Sequence, residues 1–400
     1  MLTVAEAQDA ILGELPTFGT EDVAIDQVLG RVLRQSIVAE RDQPPFDRVM
    51  MDGIAIRHAD FVSGRREFEI QATQQAGDAI ETLDAGQCIE IMTGAALPVD
   101  ADCIVPVERI ETRAGVAVIE ADYSAEARQF IHPKGSDHLA GSELLANGTR
   151  VTPMDVAVIA SASRPSVAVS ENPTIRVIST GNELVAAGEP IAAQQIRLSN
   201  GPAVVAMLEQ HGFDNCAHDH LVDDPALLRQ RLAAHLDEAS VLVLSGGVSM
   251  GKADFVPAVL SELGVRVVFH KISQRPGKPM WFGIGPQDQL VFALPGNPVS
   301  TLVCCRQYVV PALYRASGMP AGKPEFASLA QPVTFRPNLT CFMPARLVSN
   351  AAGTVLALPV PTNTSGDFAS LAGTDGYVEL AREQNEFPVG TAVPLHRWRL

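Results

Sequence analysis

The first residues that suggest chemistry sit in two glycine-bearing loops. Ser245-Gly246-Gly247-Val248-Ser249-Met250-Gly251 follows an apolar run at 241–244, and Leu294-Pro295-Gly296-Asn297-Pro298 follows another at 290–294. Each leads from a predicted strand into a predicted helix. Unpaired backbone N–H groups and the positive end of the helix dipole favour an oxyanion there, and glycine lets a ligand approach the main chain. An ordinary glycine turn explains the first loop equally well on its own. Two such loops in one predicted sheet favour a binding crevice, which makes Gly246, Gly247, Ser249, Pro295, Gly296 and Asn297 candidate substrate contacts.

Between these loops lie Lys271 and the run Arg275-Pro276-Gly277-Lys278-Pro279. A chain with 46 acidic residues, 30 Lys and Arg and a formal charge of -16 concentrates three cations here. Arg275 suits a bidentate oxyanion contact, and Lys271 and Lys278 act as point charges. The plainer alternative is a solvated basic turn. Carboxylates gather near predicted strand ends: Glu183 in Ser179-Thr180-Gly181-Asn182-Glu183, then Asp223, Asp224 and Asp254. Oxygen ligands of this kind suit Mg²⁺ bridged to phosphate. Asp223 or Asp224 also suits the cap of a helix at Pro225, and Asp254 the cap of the next one.

Two further signals carry less. Gly246 to Lys252 has the spacing of a phosphate-binding P-loop, but Ala253 stands where Ser or Thr would hold Mg²⁺. His218-Asp219-His220 places two imidazoles on one side of a strand without the further ligands of a zinc site, and no zinc is assigned.

The elements that must position these residues alternate strand and helix from residue 174 onward. Strands are expected at 175–179, 241–244, 265–269 and 290–294. Helices are expected at 200–211, from Asp224-Pro225, at 254–263 and after Pro298. This is the grammar of a doubly wound α/β domain with a largely parallel sheet. Short alternating segments between residues 44 and 137, broken by Gly, Pro and Asp, predict a β-rich insertion. An amphipathic helix is expected at 3–15, opened by a Thr3/Glu6 capping box, and a second from Pro153; the two could pack together despite their sequence separation. After Gly318 the chain turns β-like again, predicting a small C-terminal β domain.

A 400-residue chain with 46% hydrophobic residues is long enough for several cores. Its acidity disfavours nucleic acid and anionic membranes. No apolar run reaches the roughly 20 residues of a membrane span, and no signal core follows a basic start. The six cysteines lack a paired Cys-x-x-Cys spacing and read as reduced thiols, so the expected location is cytoplasmic.

In order and spacing, these motifs resemble the MoeA and gephyrin E-domain family of molybdopterin molybdenumtransferases over nearly the whole chain. In the insertion the resemblance rests on Pro45-Phe46-Asp47 with Met51-Asp52-Gly53, and Met92-Thr93-Gly94-Ala95 with Leu97-Pro98 and Ala101-Asp102. In the α/β part it rests on Ser179 to Leu184, the loop at 245–251 with Asp254, Pro276 to Pro279, and 294–300. It implies a homodimer of four-domain subunits: a linking domain at 1–43 and 138–172 with the N-terminal helix, the insertion at 44–137, a MoaB/MogA-like α/β domain at 173–318 and the β domain at 319–400. The implied reaction joins molybdate to adenylylated molybdopterin with Mg²⁺ and releases AMP.

Carried over by position, the resemblance implies catalytic roles for Asp52, Thr93, Glu183, Asp254, Lys271 and Arg275. It implies metal binding by Glu183 and Asp254, and substrate contacts by Asp137, Asp223, Lys278 and Ser365 beside the two loops. Each active site would lie between the α/β domain of one subunit and the insertion of the other, with apolar N-terminal helices offering a symmetric interface. Asn182, Arg275, His132 and Leu198 depart from the family's usual Asp, Lys, Arg and Asp. Those departures sustain two rivals: a pterin-binding or scaffolding paralogue with weakened turnover, and a P-loop-like nucleotide hydrolase.

Overall fold

The structure is a computed structural model that describes residues 1–247 and 255–399, so Ser249 and Asp254 lie outside the described residues. The chain forms two compact units. One comprises Met1–Gln35, Asn147–Thr152 and Ser166–Leu400; the other comprises Ser36–Ala146 and Pro153–Pro165.

The centre of the larger unit is an α/β layer built from β1 (Ile175–Thr180), α1 (Asn200–Gln210), β2 (Cys216–Leu221), α2 (Pro225–Glu238), β3 (Val241–Ser245), α3 (Val256–Glu262), β4 (Arg266–His270), β5 (Trp281–Ile284), β6 (Leu290–Leu294) and α4 (Pro298–Cys304). The sheet order is β2-β1-β3-β6-β5-β4. The pairs β2/β1, β1/β3 and β3/β6 are parallel, and β5 runs antiparallel to both neighbours.

The pleat explains why continuous apolar runs form these strands. Val241 and Val243 join one buried cluster while Leu242 and Leu244 join another, so a central strand must be apolar on both faces. Asp224 caps α2, its carboxylate accepting from the N–H groups of Ala226 (2.8 Å) and Leu227 (2.9 Å), with Pro225 in the first turn. Gly212, at φ +88°, follows α1 in the left-handed conformation that ends helices. α4 continues through a π-helical turn, Cys305–Val309, into α5 (Val310–Ala316).

The capping box forms as the sequence predicts, and the N-terminal helix (Val4–Leu12) buries its apolar stripe within its own compact unit. Val4, Ala7 and Ile11 are buried in the α/β core with Phe269, Ile272 and Leu313. A short helix gains most by covering a broad apolar sheet, and Arg266 fixes it by pairing with both Glu14 oxygens (3.0 and 2.6 Å). Those apolar residues are therefore not available as the symmetric interface the sequence suggested.

Five C-terminal strands close into a barrel in the order Thr340–Ser349, Val355–Pro359, Glu325–Leu329, Ala392–Arg397, Gly376–Leu380, the last pairing back to the first. Closure removes exposed edges. Gln274–Arg275 adds alongside Thr340 and Cys341. The second unit is built on a six-stranded sheet, with Gly53–Ile56 between Cys103–Pro106 and Gln87–Ile91, followed by Glu67–Gln74, Val116–Ile119 and Ile110–Arg113. All six cysteines are free thiols. Among the described residues, no helix is long and apolar enough to cross a membrane.

Candidate active site

The carboxyl ends of β1, β3 and β6 open into a cavity of about 400 Å³. Its walls carry Gly246, Gly247, Pro295, Gly296 and Asn297 from the two loops, together with Glu183 and Asp223. The loops touch backbone to backbone: the Gly246 N–H donates to the Leu294 carbonyl (3.3 Å), and a Cβ on Gly296 would stand 3.4 Å from Gly246 Cα. A Cβ on Gly246, whose φ is +101°, would come within 2.6 Å of the Thr180 carbonyl oxygen. Glycine is required there by both conformation and space.

The helix α1 begins at this cavity without a side-chain cap from Ser199, which leaves its first N–H groups for a ligand. Asn200 Nδ2 spans the two loops, donating to Ser245 Oγ (2.9 Å), the Gly296 carbonyl (2.7 Å) and Thr301 Oγ1 (3.1 Å). Two lining oxygens, Thr180 Oγ1 and Asn200 Oδ1, are buried with no hydrogen-bond partner among the described residues. Such groups cost free energy unless something else satisfies them.

Glu183 is exposed, and its carboxylate folds back over Gly181, within 2.6 Å of where a Cβ would be. Asn182 Oδ1 accepts the Asp223 N–H (3.0 Å), a role that an aspartate oxygen would equally fill. With Asp224 serving as the α2 cap, Asp223 is the residue of the pair that lines the cavity. Among the described residues no three His, Cys, Asp or Glu side chains converge on one point. Oxygen donors in this number fit a Mg²⁺ held by one or two carboxylates and by substrate phosphate, not a cage made of protein alone. His218 and His220 are occupied otherwise, by Ser179 Oγ (3.0 Å) and the Gly181 carbonyl (2.9 Å), and burial holds His218 below its usual range.

The three cations do not line this cavity. Lys271 and Lys278 sit on a hairpin closed by the Lys271 N–H to the Met280 carbonyl and the Ile272 N–H to the Lys278 carbonyl (both 2.9 Å), and Pro279 carries that hairpin to the cavity wall. Arg275 lines an adjoining hollow of about 180 Å³ with Ser365. Ser365 in turn accepts from Asn297 Nδ2 (2.7 Å), and its carbonyl accepts the Val299 N–H (3.0 Å), so it borders the second loop. None of the three cations forms an ion pair with a described residue.

Among the described residues, the cation that does line the cavity is Arg197, which sequence reasoning missed. Its Nη1 donates to the carbonyls of Ala186 (2.8 Å) and Glu189 (2.7 Å), and it has no carboxylate partner among the described residues. The available signal was its place just before the Ser199-Asn200 helix start. Thr180 and Asn200 were also missed, because burial without a partner is invisible in a sequence.

In the second unit, Asp52 and Thr93 meet. One Asp52 oxygen accepts both the Thr93 hydroxyl and the Thr93 N–H, each at 2.6 Å. The hydroxyl first, and then the amide, hold the Asp52 carboxyl below the usual carboxylate range. Gly53 makes this possible by close packing, since a Cβ there would lie 2.0 Å from the Val105 carbonyl oxygen. Asp137 accepts from His132 Nε2 (2.9 Å), whose Nδ1 takes a bond from Arg48 (3.0 Å), so an arginine stands behind the histidine. Asp47 ties Arg128 (2.7 Å) and the Lys134 N–H (2.8 Å) to the same region.

The doubly wound layer, with its polar, glycine-walled cavity at the carboxyl ends of the strands, defines an α/β protein with β-rich additions. Residues 2–163 match the MoeA N-terminal region (domain I and II), residues 176–315 a probable molybdopterin binding domain, and residues 327–398 the MoeA C-terminal region (domain IV). A molybdopterin molybdenumtransferase from Synechocystis sp. is 37% identical over 400 residues, all of both chains. Crystal structures of the molybdopterin biosynthesis MoeA protein from Pyrococcus horikoshii superpose with a TM-score of 0.82. One is 29% identical across all of both chains, and another 25% across 99% of both. The chain therefore belongs to the MoeA family of molybdopterin molybdenumtransferases, transferases of molybdenum cofactor biosynthesis.

Proposed function

We propose that this chain inserts molybdate-derived molybdenum into adenylylated molybdopterin and releases AMP, with the nucleotide-activated pterin seated in the α/β cavity. The observation that carries this reading is the cavity wall itself. Two touching glycine loops, an uncapped helix N-terminus and two oxygens without a partner among the described residues, Thr180 Oγ1 and Asn200 Oδ1, make a polar site for a phosphorylated ligand.

In this reading Gly247, Ser249, Gly296 and Asn297 present backbone donors to phosphate, while Gly246 and Pro295 shape the two loops around it. Arg197, Lys271, Arg275 and Lys278 neutralise charge as AMP leaves and hold molybdate oxygens, with Ser365 and Asp223 orienting the substrate. Glu183 and Asp254 would hold Mg²⁺, which when bound supplies charge neutralisation at the phosphoanhydride. Asp52, Thr93 and Asp137 act from the insertion of a second subunit, so the active species is a cytoplasmic homodimer built on the four-domain division at 43/44, 137/138, 172/173 and 318/319.

AMP release from adenylylated molybdopterin, with and without molybdate and Mg²⁺, tests the reading. Wild type should release AMP only with both, and Glu183→Gln should lose roughly a hundredfold in rate while keeping its melting temperature. Tight pterin binding without AMP release would support a scaffolding paralogue instead, and ATP hydrolysis without pterin a nucleotide hydrolase. Sedimentation at micromolar concentration adds a second check: a fully active monomer would remove the shared site.

A further inference from the structure

We infer that Gln274 and Tyr308 are positioning residues for the Arg275–Lys278 turn, a buried strut that sets where its cations stand relative to the substrate cavity. The inference rests on the proposed oxyanion role of those cations.

Arg275 and Lys278 are exposed, yet the residue that anchors their turn is not: Gln274 is 0% exposed. Its amide Nε2 donates to the Pro276 carbonyl (3.1 Å) inside the turn and to Cys304 Sγ (3.4 Å) on α4. Its Oε1 accepts from the Tyr308 hydroxyl. Tyr308 is 1% exposed, and burial pushes its phenol far above the usual range, so it stays the donor. The turn lies directly on this network, since a Cβ on Gly277 would be 2.4 Å from Cys304 Sγ and 2.6 Å from Gln274 Nε2.

The far end of the strut is equally unusual. Tyr308 belongs to the π-helical turn Cys305–Val309, a departure from regular helix that recurs at functional sites. That helix begins at Pro298, beside Asn297 on the cavity wall. Gln274 and Tyr308 therefore tie the cation turn to the helix that opens the substrate site. Stability alone does not account for them. A buried amide and phenol must be desolvated, and two apolar side chains of similar shape would hold the core as well.

The test is a double-mutant comparison. Tyr308→Phe leaves Gln274 Oε1 without its donor, Gln274→Met leaves the phenol without an acceptor, and the double variant removes both groups together. The double variant should melt within about 3 °C of wild type. Its KM for molybdate in the AMP-release assay should nevertheless rise about fivefold, with kcat nearly unchanged. Tyr308→Phe, which deletes a single oxygen, should raise KM in the same direction and serves if the double variant folds poorly. Lys278→Ala is the reference. If Lys278→Ala raises KM and neither strut variant does, the positioning role is wrong and the cation site stands. If Lys278→Ala has no effect either, the cation reading fails and takes the inference with it.

Discussion

The Asp52–Thr93 pair and the α/β cavity place polar groups in opposite conditions. In the pair, one carboxylate oxygen already receives a hydroxyl and an amide at 2.6 Å, and the aspartate stays charged. In the cavity, Thr180 Oγ1 and Asn200 Oδ1 are buried without partners among the described residues, and a buried group left unsatisfied costs about 1–3 kcal/mol. The first arrangement completes its own hydrogen bonds and so fixes a charge in place. The second leaves hydrogen-bonding capacity unused, which a ligand entering the cavity would recover. A preorganised anion and an unfinished polar wall are complementary ways of preparing a site.

The largest effect expected from disturbing this contrast is at Gly246. Gly246→Ala puts a methyl 2.6 Å from the Thr180 carbonyl oxygen in a residue at φ +101°. The loop must shift, at a cost of about 1–3 kcal/mol, and AMP release should fall at least about a hundredfold. Chemical denaturation and the release assay measure the two losses. A variant with wild-type turnover would show that the loop is an ordinary turn.

Thr180→Val sharpens the contrast further, because it exchanges a hydroxyl with no partner among the described residues for a methyl of the same shape. The free protein should be as stable as wild type or slightly more so, whereas adenylylated molybdopterin should bind roughly tenfold more weakly. Calorimetry on both states separates these effects. Loss of stability with unchanged affinity would mean that the hydroxyl serves the fold and not the ligand.

The smallest effect is expected at Thr93→Val, which removes the hydroxyl that does most to keep the Asp52 carboxyl low. A depressed folded-state value means that the aspartate's contribution is present above its unfolded value and lost as pH falls through the folded one. Without the hydroxyl, the acid limb of the pH–rate profile should move to higher pH, with a change of only a few-fold near neutrality. An unmoved acid limb would separate Asp52 ionisation from turnover.

Much of the α/β layer was legible in the chain, because local chemistry dictates it. A short apolar run such as 290–294, bounded by Gly and Pro turns, reads as a strand buried on both faces, Asp224-Pro225 marks a helix start, and the Thr3/Glu6 box is complete within four residues. The loops containing Gly246 and Gly296 were legible for the same reason, being glycines at the ends of recognisable strands. The direction of Trp281–Ile284, the burial of Val4, Ala7 and Ile11 on the sheet, and the closing of the C-terminal strands into a barrel were decided by tertiary structure. So were the contact of Ser365 with Asn297, the place of Arg197 on the cavity wall, and the burial of Thr180 Oγ1. Periodicity and capping act over a few residues and are written along the chain. Pairing direction, burial and missing partners depend on groups brought together across tens to hundreds of residues, and only packing in three dimensions sets them.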